Sequence, residues 1–348
     1  RRQRQMCIRD RRSCGTADRQ CGLLALPVAE AVGCSVIIES KCAKTLGNGR
    51  FCIKEEKMNR ILLIGSGWRA RMWARVISAL PDVSLAGVLC RNPEKRAPFE
   101  KIGVPVCGSY DEALSVCADA VLVCVRKQDN LAVSCFFAEK GYRVLCETPA
   151  GGTDEERRLF SESEVMIAEQ YPLQPVFAAA QAVIKAGILG EVHTLRLSCC
   201  HDYHAVALMR ALLGTGDRIP KITAHAFTDE YASYAGREGL QPPQLASNRR
   251  VAAYLDFGKK RAFYDWSYGQ YFSQIRGSQF ILQGTLGEIN GQEGVCLRQG
   301  SVVPFRLQKV YNGQDGSLFA PDLVAICCMG KRVYENSFCG LRFSEEEI

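Results

Sequence analysis

The sequence contains no apolar run long enough to cross a lipid bilayer, which argues against a membrane-spanning helix. Its 348 residues are 47% hydrophobic and 23% charged, which predicts a soluble globular protein of about two domains.

The chain also has little excess charge outside its first residues. The formal net charge is +7, but residues 1–57 hold 12 Lys and Arg against 6 Asp and Glu, a net of +6. The remaining residues therefore carry only about +1, because 7 − 6 = 1. A body without a basic excess is not expected to bind nucleic acid. The expected partner is a small-molecule substrate, with no nucleic acid and no membrane.

The paired CxxC spacing of a structural zinc site is absent, although the chain has 18 cysteines. Many cysteines lie inside apolar runs, such as Cys124 within residues 121–125, where a thiol packs as a small hydrophobe. A long chain without a convincing signal peptide is not a small disulfide scaffold. The cysteine usage therefore predicts a reducing cytoplasm and no metal.

The sequence begins on Arg rather than Met, and Arg1–Arg12 is a basic run without hydrophobic periodicity. The fold pattern begins directly at Met58, so the favoured interpretation is that Met58 is the true start and the leader is an artefactual upstream translation. The alternative is an Arg-rich organelle-targeting peptide, although the segment contains acids and is long for one. Residues 1–57 are treated as a non-domain leader.

From Met58 onward, short apolar strands alternate with amphipathic helices, the pattern of a parallel sheet with helical crossovers. Residues 61–64 form the first predicted strand, a helix begins near Trp68, and residues 165–168 form the sixth strand. The pattern predicts an α/β chain whose N-terminal NAD(P)-binding Rossmann domain spans residues 58–170.

Beyond residue 170, strand-like stretches lie close together and are separated by short turns, which is typical of an antiparallel sheet. We expect a C-terminal α+β domain with a large open, mostly antiparallel sheet over residues 171–320, and residues 321–348 receive no assignment. The predicted strands of this domain are 191–200, 222–227, 251–257, 261–267, 280–283, 295–298 and 302–307.

The loop between the first strand and the first helix reads Gly65-Ser66-Gly67-Trp68-Arg69-Ala70. In this G-x-G-x-x-A pattern the first glycine permits a tight turn and the second lets the backbone approach a pyrophosphate, while the last small residue lets the helix pack on the strand. The helix start offers free N–H groups to phosphates. Because the loop follows a strand and opens a helix, it predicts a dinucleotide site rather than a tight turn without a ligand.

The end of the second predicted strand lacks the acidic residue that would bind both ribose hydroxyls of NAD. Cys90 and Arg91 stand there instead. An arginine can pair with the 2′-phosphate of NADP, so NADP is favoured over NAD. The alternative is that Arg91 is a solvated surface residue.

Five motifs, taken in this order, resemble the glucose–fructose oxidoreductase / inositol dehydrogenase (Gfo/Idh/MocA) family over about residues 58–320. The resemblance implies a Rossmann domain coupled to an open antiparallel sheet domain. It also implies hydride transfer between a nicotinamide cofactor and a sugar, polyol or related carbonyl compound bound in the cleft. The motifs are the glycine loop, Val144-Leu145-Cys146-Glu147-Thr148-Pro149, Gly187-Ile188-Leu189-Gly190-Glu191-Val192, His204-Ala205-Val206-Ala207 with Leu213-Gly214, and Gly284-Thr285-Leu286-Gly287-Glu288-Ile289.

The resemblance implies cofactor-binding residues in the glycine loop and after the predicted strands that follow it. These candidates are Gly65, Ser66, Gly67, Trp68, Arg69, Ala70, Cys90, Arg91, Val125, Asn130, Glu147, Thr148 and Gln170.

The chain departs from the family at positions that bear on catalysis. Family members usually read Glu-Lys-Pro where this chain has Glu147, Thr148 and Pro149, and that lysine helps to position or protonate the reacting oxygen. Threonine can donate a hydrogen bond but supplies no cation. The usual Thr-Pro-x-x-x-His after the fourth strand is also missing from residues 125–130, where Lys127 is a speculative replacement cation and a solvated loop lysine is the simpler interpretation.

His204 is the best acid–base candidate, because an imidazole can exchange a proton with a hydroxyl near neutral pH. It matches the histidine of the family's second-domain helix, although Ala207 replaces the usual Asp. A helix-start histidine that only caps or packs is the alternative. Tyr171 and Thr148 complete the predicted catalytic set, and an ordinary packing aromatic is the alternative for Tyr171.

The leading hypothesis is an NAD(P)-dependent oxidoreductase, and the second is a non-catalytic dinucleotide-binding sensor or regulatory protein of the same fold. The aromatic run at residues 263–272 is interpreted as sheet packing or a dimer surface. We expect a homo-oligomer through the C-terminal sheet.

Overall fold

The computed structural model describes residues 59–149, 151–236, 239–273, 275–313, 321–345 and 347–348. The predicted leader, 1–57, and Met58 lie outside these residues. The chain divides into two compact units between Ala168 and Glu169, two residues before the predicted boundary at residue 170. No helix in the described ranges is both long and apolar enough to cross a membrane.

The first unit is built on a six-stranded sheet in the order β3-β2-β1-β4-β5-β6, and every neighbouring pair is parallel. The predicted Rossmann class is therefore confirmed. The strand order reverses between β1 and β4, the point at which such sheets bind ligands. The strands are β1 (Asn59–Ile64), β2 (Val83–Leu89), β3 (Val106–Cys107), β4 (Ala120–Val123), β5 (Arg143–Cys146) and β6 (Val165–Ile167).

Helices follow the strands of this sheet, and the central strands are apolar toward their carboxyl ends. Leu62, Leu63 and Ile64 of β1 are all buried, as expected for a strand whose two faces are both covered. The helices are α1 (Trp68–Ala79), α2 (Ala97–Glu100), α3 (Tyr110–Ser115), α4 (Asn130–Glu139) and α5 (Asp154–Glu162).

The sequence pattern over residues 93–102 predicts one continuous helix, and this prediction is wrong in its continuity. The structure has a 3-10 turn over Pro93–Lys95 and then the short helix α2. Pro98 explains the break, because a proline has no N–H to donate and is tolerated only in the first turn of a helix. The helix must therefore begin again at Ala97.

Other helix ends lie where their residues predict them. Thr153 and Glu156 form a complete capping box at the start of α5. Gly141, Gly187 and Gly214 follow helices with φ of 82°, 69° and 60°, the left-handed conformation that ends a helix.

The second unit contains an eight-stranded sheet in the order β14-β13-β12-β11-β7-β10-β9-β8. Neighbouring strands are antiparallel except β7 and β10, which are parallel. Two helices, α6 (Pro175–Lys185) and α7 (Asp202–Leu213), belong to this unit. The strands are β7 (Val192–Ser198), β8 (Lys221–Gly236), β9 (Gly239–Asp256), β10 (Arg261–Ser267), β11 (Gln279–Gly284), β12 (Gly287–Asn290), β13 (Glu293–Arg298) and β14 (Ser301–Arg306).

Strands β8 and β9 are much longer than the predicted segments 222–227 and 251–257. Their outer residues are polar or exposed, and β9 includes Pro242 and Pro243, so the alternation of apolar residues does not mark them as strands. Pairing between the two strands extends almost to the tip of the hairpin. Among the described residues, β10 pairs only with residues 250–256 of β9, so the part of β9 that carries the prolines pairs with β8 alone and has an open edge, where proline is tolerated.

Residues 321–348 received no assignment, yet two strands form there. β15 (Gln308–Tyr311), β16 (Leu323–Cys328) and β17 (Lys331–Glu335) make a separate three-stranded sheet. Asn336, which follows this sheet, is buried and donates from Nδ2 to the carbonyl of Leu323 at 2.7 Å.

Candidate functional site

The glycine loop turns sharply at the carboxyl end of β1. Gly65 has φ of 131°, and a Cβ at this position would lie 2.2 Å from the carbonyl oxygen of Cys124. Its N–H donates to the carbonyl of Leu89 at 3.0 Å. The contact with the backbone after β4 therefore requires glycine here.

Gly67 is different, because the protein itself does not need a glycine there. Its φ is −77°, and a Cβ would have no heavy atom within 4 Å. The helix that follows, α1, has no side-chain cap and no acid in its first turn. A helix N-terminus beside open space is the feature that a dinucleotide pyrophosphate uses.

The other loop residues surround this space in different ways. Ser66 is half-buried and Trp68 is exposed, whereas Ala70 is completely buried, as expected for the small residue that packs a helix on its strand. The guanidinium of Arg69 lies 4.6 Å from the centre of the Trp68 ring.

Glu147, at the end of β5, is a buried carboxylate held by the first helix. Its Oε1 accepts from Trp73 Nε1 at 2.5 Å and lies 3.3 Å from Arg69 Nε. Its Oε2 accepts from the backbone N–H of Thr148 at 3.2 Å. Glu147 therefore ties the glycine loop's helix to the segment that carries Thr148. The Thr148–Pro149 peptide bond is cis.

Asn130 lies at the start of α4 and is also buried. Its Nδ2 donates to the carbonyls of Glu147 at 3.1 Å and Pro149 at 3.2 Å. Its buried Oδ1 has no hydrogen-bond partner among the described residues. Val125, another predicted cofactor-binding residue, is half-buried against the core of the first domain.

The end of β2 presents one buried and one exposed candidate. Cys90 is buried and its thiol donates to the carbonyl of Asn92 at 3.2 Å. Arg91 is exposed, with its guanidinium 5.7 Å from the centre of the Tyr110 ring. Arg96, which was not among the predicted residues, donates from Nε to the Cys90 carbonyl at 3.0 Å. Two arginines therefore flank this strand end.

Lys127, the speculative replacement cation, lies beside the start of α5. Its side chain would be 3.0 Å from a Cβ built on Gly152, and its charge helps to lower the pKa of Glu156, after the hydrogen bonds from the Gly152 and Thr153 backbone.

The second domain contains a histidine–carboxylate pair. His204 lies in the first turn of α7 and is 4% exposed. Its Nδ1 lies 2.8 and 2.9 Å from the two carboxylate oxygens of Glu169. The backbone N–H of Tyr171 donates to Glu169 Oε1 at 3.0 Å and fixes the carboxylate. Both of these contacts with Glu169 use Nδ1 of the His204 ring.

Aromatic rings pack around His204. Its ring centre lies 4.5 Å from that of Tyr171, 4.4 Å from that of Tyr203 and 4.9 Å from that of His201. Tyr271, from the 3-10 helix Tyr268–Phe272, reaches the same cluster through its hydroxyl, which lies 3.2 Å from the Tyr171 hydroxyl. The predicted catalytic residues Tyr171 and His204 are therefore in contact.

Burial changes the acid–base behaviour of this cluster. Burial, reinforced by the hydrogen bond to Tyr271, raises the pKa of Tyr171 above its ordinary value. Burial raises the pKa of Tyr271 to about 12. Burial, and then the charge of His204, lowers the pKa of His201. At neutral pH the two phenols are therefore protonated and His201 is neutral.

Three predicted residues divide between the domains. Thr148 belongs to the Rossmann unit, whereas Gln170, at the start of the 3-10 helix Tyr171–Leu173, and Tyr171 belong to the second. Glu169 was not predicted as the partner of His204, nor was Tyr271 predicted as the partner of Tyr171. The position of Glu169, an acid directly after the last Rossmann strand, could have identified it from the sequence. No sequence feature identifies the contact between Tyr171 and Tyr271, because the two residues are 100 positions apart.

Residues 59–160 match the model of an oxidoreductase family with an NAD-binding Rossmann fold. This is the Gfo/Idh/MocA family, whose Rossmann-domain model is the one that residues 59–160 match. The predicted recognition is confirmed, and the matched residues include the whole glycine loop and the strand ends around Glu147. No curated protein matches the chain by sequence.

Solved structures of similar fold include Gfo/Idh/MocA-like oxidoreductases. An oxidoreductase from Agrobacterium radiobacter, in complex with NAD+, L-tartaric acid and magnesium, is 16% identical, with a TM-score of 0.56 over 71% of this chain and 79% of that chain. The WlbA dehydrogenase from Bordetella pertussis, in complex with NADH and UDP-GlcNAcA, is 17% identical, with a TM-score of 0.52 over 67% and 73%. GenD2 from gentamicin A biosynthesis, in complex with NAD, is 17% identical, with a TM-score of 0.53 over 80% of each chain. At these identities the likeness concerns the fold.

Proposed function

We propose that the protein is an NAD(P)-dependent oxidoreductase that moves a hydride between nicotinamide and a sugar, polyol or related carbonyl compound. The observation that carries this proposal is the contact of the buried His204 with the carboxylate of Glu169, in a chain whose residues 59–160 match an NAD-binding oxidoreductase family. A histidine oriented by a carboxylate is suited to general acid–base chemistry.

The pair supplies the proton step of such a reaction. When a hydroxyl is oxidised, its carbon loses a hydride and its oxygen loses a proton. Glu169 engages Nδ1 of His204, so Nε2 is the nitrogen that exchanges the proton with the substrate oxygen, and the carboxylate stabilises the imidazolium that forms. Tyr171 is proposed to orient the oxygen through its hydroxyl. Thr148 is proposed to act in the same way, because its hydroxyl can donate a hydrogen bond but supplies no cation.

The bound dinucleotide supplies the hydride acceptor or donor, and the Rossmann domain is proposed to hold it. Gly67 and the N–H groups at the start of α1 would receive the pyrophosphate, which fits the open space beside Gly67. Arg91 is exposed at the end of β2 and would pair with a 2′-phosphate, so NADP is the proposed cofactor.

Cofactor preference is tested by equilibrium titration of the full chain with NAD and NADP. We expect NADP to bind at least about tenfold more tightly, a difference of about 1.4 kcal/mol. Arg91→Ala should remove that preference, whereas Arg71→Ala, an exposed arginine within α1, should retain it. A clear preference for NAD in the unmodified chain would contradict the use of Arg91.

Activity is tested by single-turnover oxidation of bound NADPH and NADH against sugars, inosose-type ketones and imines, with the reverse reaction tested on polyols. Consumption of the reduced cofactor with at least one of these carbonyl compounds supports the proposal. Tight cofactor binding without consumption by any member of the panel would contradict it and favour the dinucleotide-binding sensor, which Thr148 in place of the usual lysine motivates.

Assembly through the C-terminal sheet is proposed as well. The edge hairpin β8–β9 exposes large apolar side chains, including Ile222, Leu240 and Leu245, which are 61%, 80% and 81% exposed in the isolated chain. Exposed apolar side chains of this kind mark protein interfaces. Light scattering should give a mass of at least two chains, and Leu240→Lys with Leu245→Lys should reduce it to one. The cytoplasmic location stays a prediction from cysteine usage.

A further inference from the structure

A chain of hydrogen-bonding side chains leads away from the Tyr171 hydroxyl. Tyr171 and Tyr271 are joined hydroxyl to hydroxyl at 3.2 Å, and the Tyr271 hydroxyl lies 2.6 Å from His201 Nδ1. The opposite ring nitrogen of His201, Nε2, lies 3.1 Å from the hydroxyl of Tyr203. Four ionisable groups from three segments are thus connected in one continuous line.

One direction of these hydrogen bonds carries a proton from Tyr171 to His201. In that direction the Tyr171 hydroxyl donates to the Tyr271 oxygen, which also accepts from the backbone N–H of His201 at 3.3 Å. The Tyr271 hydroxyl donates to His201 Nδ1, and His201 carries its proton on Nε2, facing Tyr203. The hydrogen bonds of His204 Nδ1 go to the carboxylate of Glu169.

We infer that Tyr171, Tyr271, His201 and Tyr203 form a proton relay between the substrate oxygen and solvent. It is a second route for the single hydroxyl proton that the Glu169–His204 pair otherwise takes, and one turnover uses one route. This inference rests on the proposed oxidoreductase function. Tyr171 is the member that touches the substrate oxygen, and Tyr271 and His201 act through it.

The relay conserves protons and charge at every step. In the oxidation of a hydroxyl, the carbon's hydride goes to nicotinamide and the O–H bonding pair becomes the second bond of the carbonyl. The hydroxyl proton passes to the Tyr171 oxygen while the Tyr171 proton passes to Tyr271, and the Tyr271 proton passes to His201 Nδ1. His201 then releases its Nε2 proton toward Tyr203 and solvent. Reduction of a carbonyl uses the same line in reverse.

The surroundings of His201 suit a group that passes a proton on rather than holding it. Burial and the charge of His204 lower its pKa, while Asp202 and Glu169 act in the opposite sense but more weakly. An imidazolium formed there therefore gives up its proton readily at neutral pH. The ionisable groups that face His201 are Asp202, Tyr203 and His204 of α7, Tyr268 and Tyr271 of the 3-10 helix, and Glu169.

The hydrogen-bonded line is tested without substrate by nitrogen NMR of the histidine rings. The chain has four histidines, so each ring can be assigned and titrated in the full-length protein. We expect His201 to carry its proton on Nε2 at neutral pH and to titrate below the ordinary range of histidine. Tyr271→Phe should raise the fraction with the proton on Nδ1, whereas Tyr254→Phe, on β9, should leave the spectrum unchanged. An unchanged His201 tautomer in Tyr271→Phe would overturn the relay.

The transport of the proton is tested with a substrate found in the panel above. In the His204→Ala variant the relay is the remaining route, so adding Tyr271→Phe should lower the residual kcat by about a further tenfold with little change in KM. It should also alter the dependence of that residual kcat on pH, because His201 no longer exchanges with the site. An unchanged pH profile overturns the relay while the oxidoreductase function stands. If His201 gives the expected spectrum but no substrate is turned over, the proposed oxidoreductase function is wrong. The relay is then wrong as well, because there is no reaction for it to serve.

Discussion

His204 and Glu169 are the two residues on which the proposed chemistry depends most directly. We expect His204→Ala to lower kcat by well over tenfold while cofactor affinity stays nearly unchanged, because the ring exchanges a proton and lies in the other domain from the glycine loop. The matched control is His225→Ala, an exposed histidine of β8. Steady-state kinetics and cofactor titration measure both quantities, and an unchanged rate removes His204 from the mechanism.

Glu169→Gln separates the charge of the carboxylate from its shape. The amide keeps a hydrogen-bond acceptor for His204 Nδ1 but cannot stabilise the imidazolium, so we expect kcat to fall at least about tenfold with KM little changed. Calorimetry should show a folded protein. If kcat in this variant equals that of the unmodified chain, Glu169 only packs against the ring.

The two glycines of the loop offer a contrast between folding and binding. Gly65→Ala forces a Cβ against the Cys124 carbonyl at φ of 131°, strain of roughly 1–3 kcal/mol before the clash is counted. We expect a lower melting temperature in Gly65→Ala. Gly67→Ala should melt like the unmodified chain but bind NADP at least about tenfold more weakly, because its Cβ fills the space proposed for the pyrophosphate. Equal affinity in Gly67→Ala would place the phosphates elsewhere.

At the scale of the elements, the edge hairpin β8–β9 depends on one arginine. Arg250 of β9 contacts Asp229 of β8 at 3.0 Å and forms a second ion pair with Asp265 of β10, so it ties three adjacent strands together. Removal of the arginine also leaves two carboxylates near each other. We expect Arg250→Gln to cost about 1 kcal/mol, or about 2–4 °C in melting temperature.

The control for that change is Arg261→Gln, an exposed arginine on β10. It should melt within about 1 °C of the unmodified chain, since surface changes away from such contacts have small effects. Equal melting temperatures for the Arg250 and Arg261 variants would mean that the ion pairs do not hold the hairpin.

The hairpin also shows where sequence reasoning stops. Strands of the Rossmann sheet are predictable because both of their faces are buried, so that residues 61–64 form an unbroken apolar run. The outer part of β8 and β9 is stabilised by pairing between the strands and by Arg250, neither of which leaves a pattern along the chain. β16 is likewise stabilised by pairing with another strand, β15. The residues between these two strands carry no strand pattern in the sequence.

The candidate site was predictable to a similar degree. Gly65, Gly67 and Glu147 stand in a local motif, and His204 stands in another, so each could be named from the sequence. The contacts of His204 with Glu169 and of Tyr171 with Tyr271 join residues 35 and 100 positions apart. Contacts at such separations follow from the fold, and no local spacing encodes them.

At the scale of the whole molecule, the excess positive charge resides in residues 1–57, and the rest of the chain is close to neutral. We expect a chain that begins at Met58 to fold, to melt within about 1 °C of the full chain and to bind NADP equally well. Calorimetry and cofactor titration of both chains provide the comparison. An insoluble or unfolded product would show that the leader contributes to the fold.

The positions of the three tryptophans have a practical consequence. Trp68, 40% exposed, and the buried Trp73 both belong to the helix that follows the glycine loop, whereas Trp266 is buried in the sheet of the second domain. Reduced nicotinamide absorbs light where indole emits it, so a dinucleotide at the loop should quench the emission of the first two by energy transfer. Cofactor binding can therefore be followed by tryptophan fluorescence without labelling the protein, and Trp68→Phe should weaken that signal.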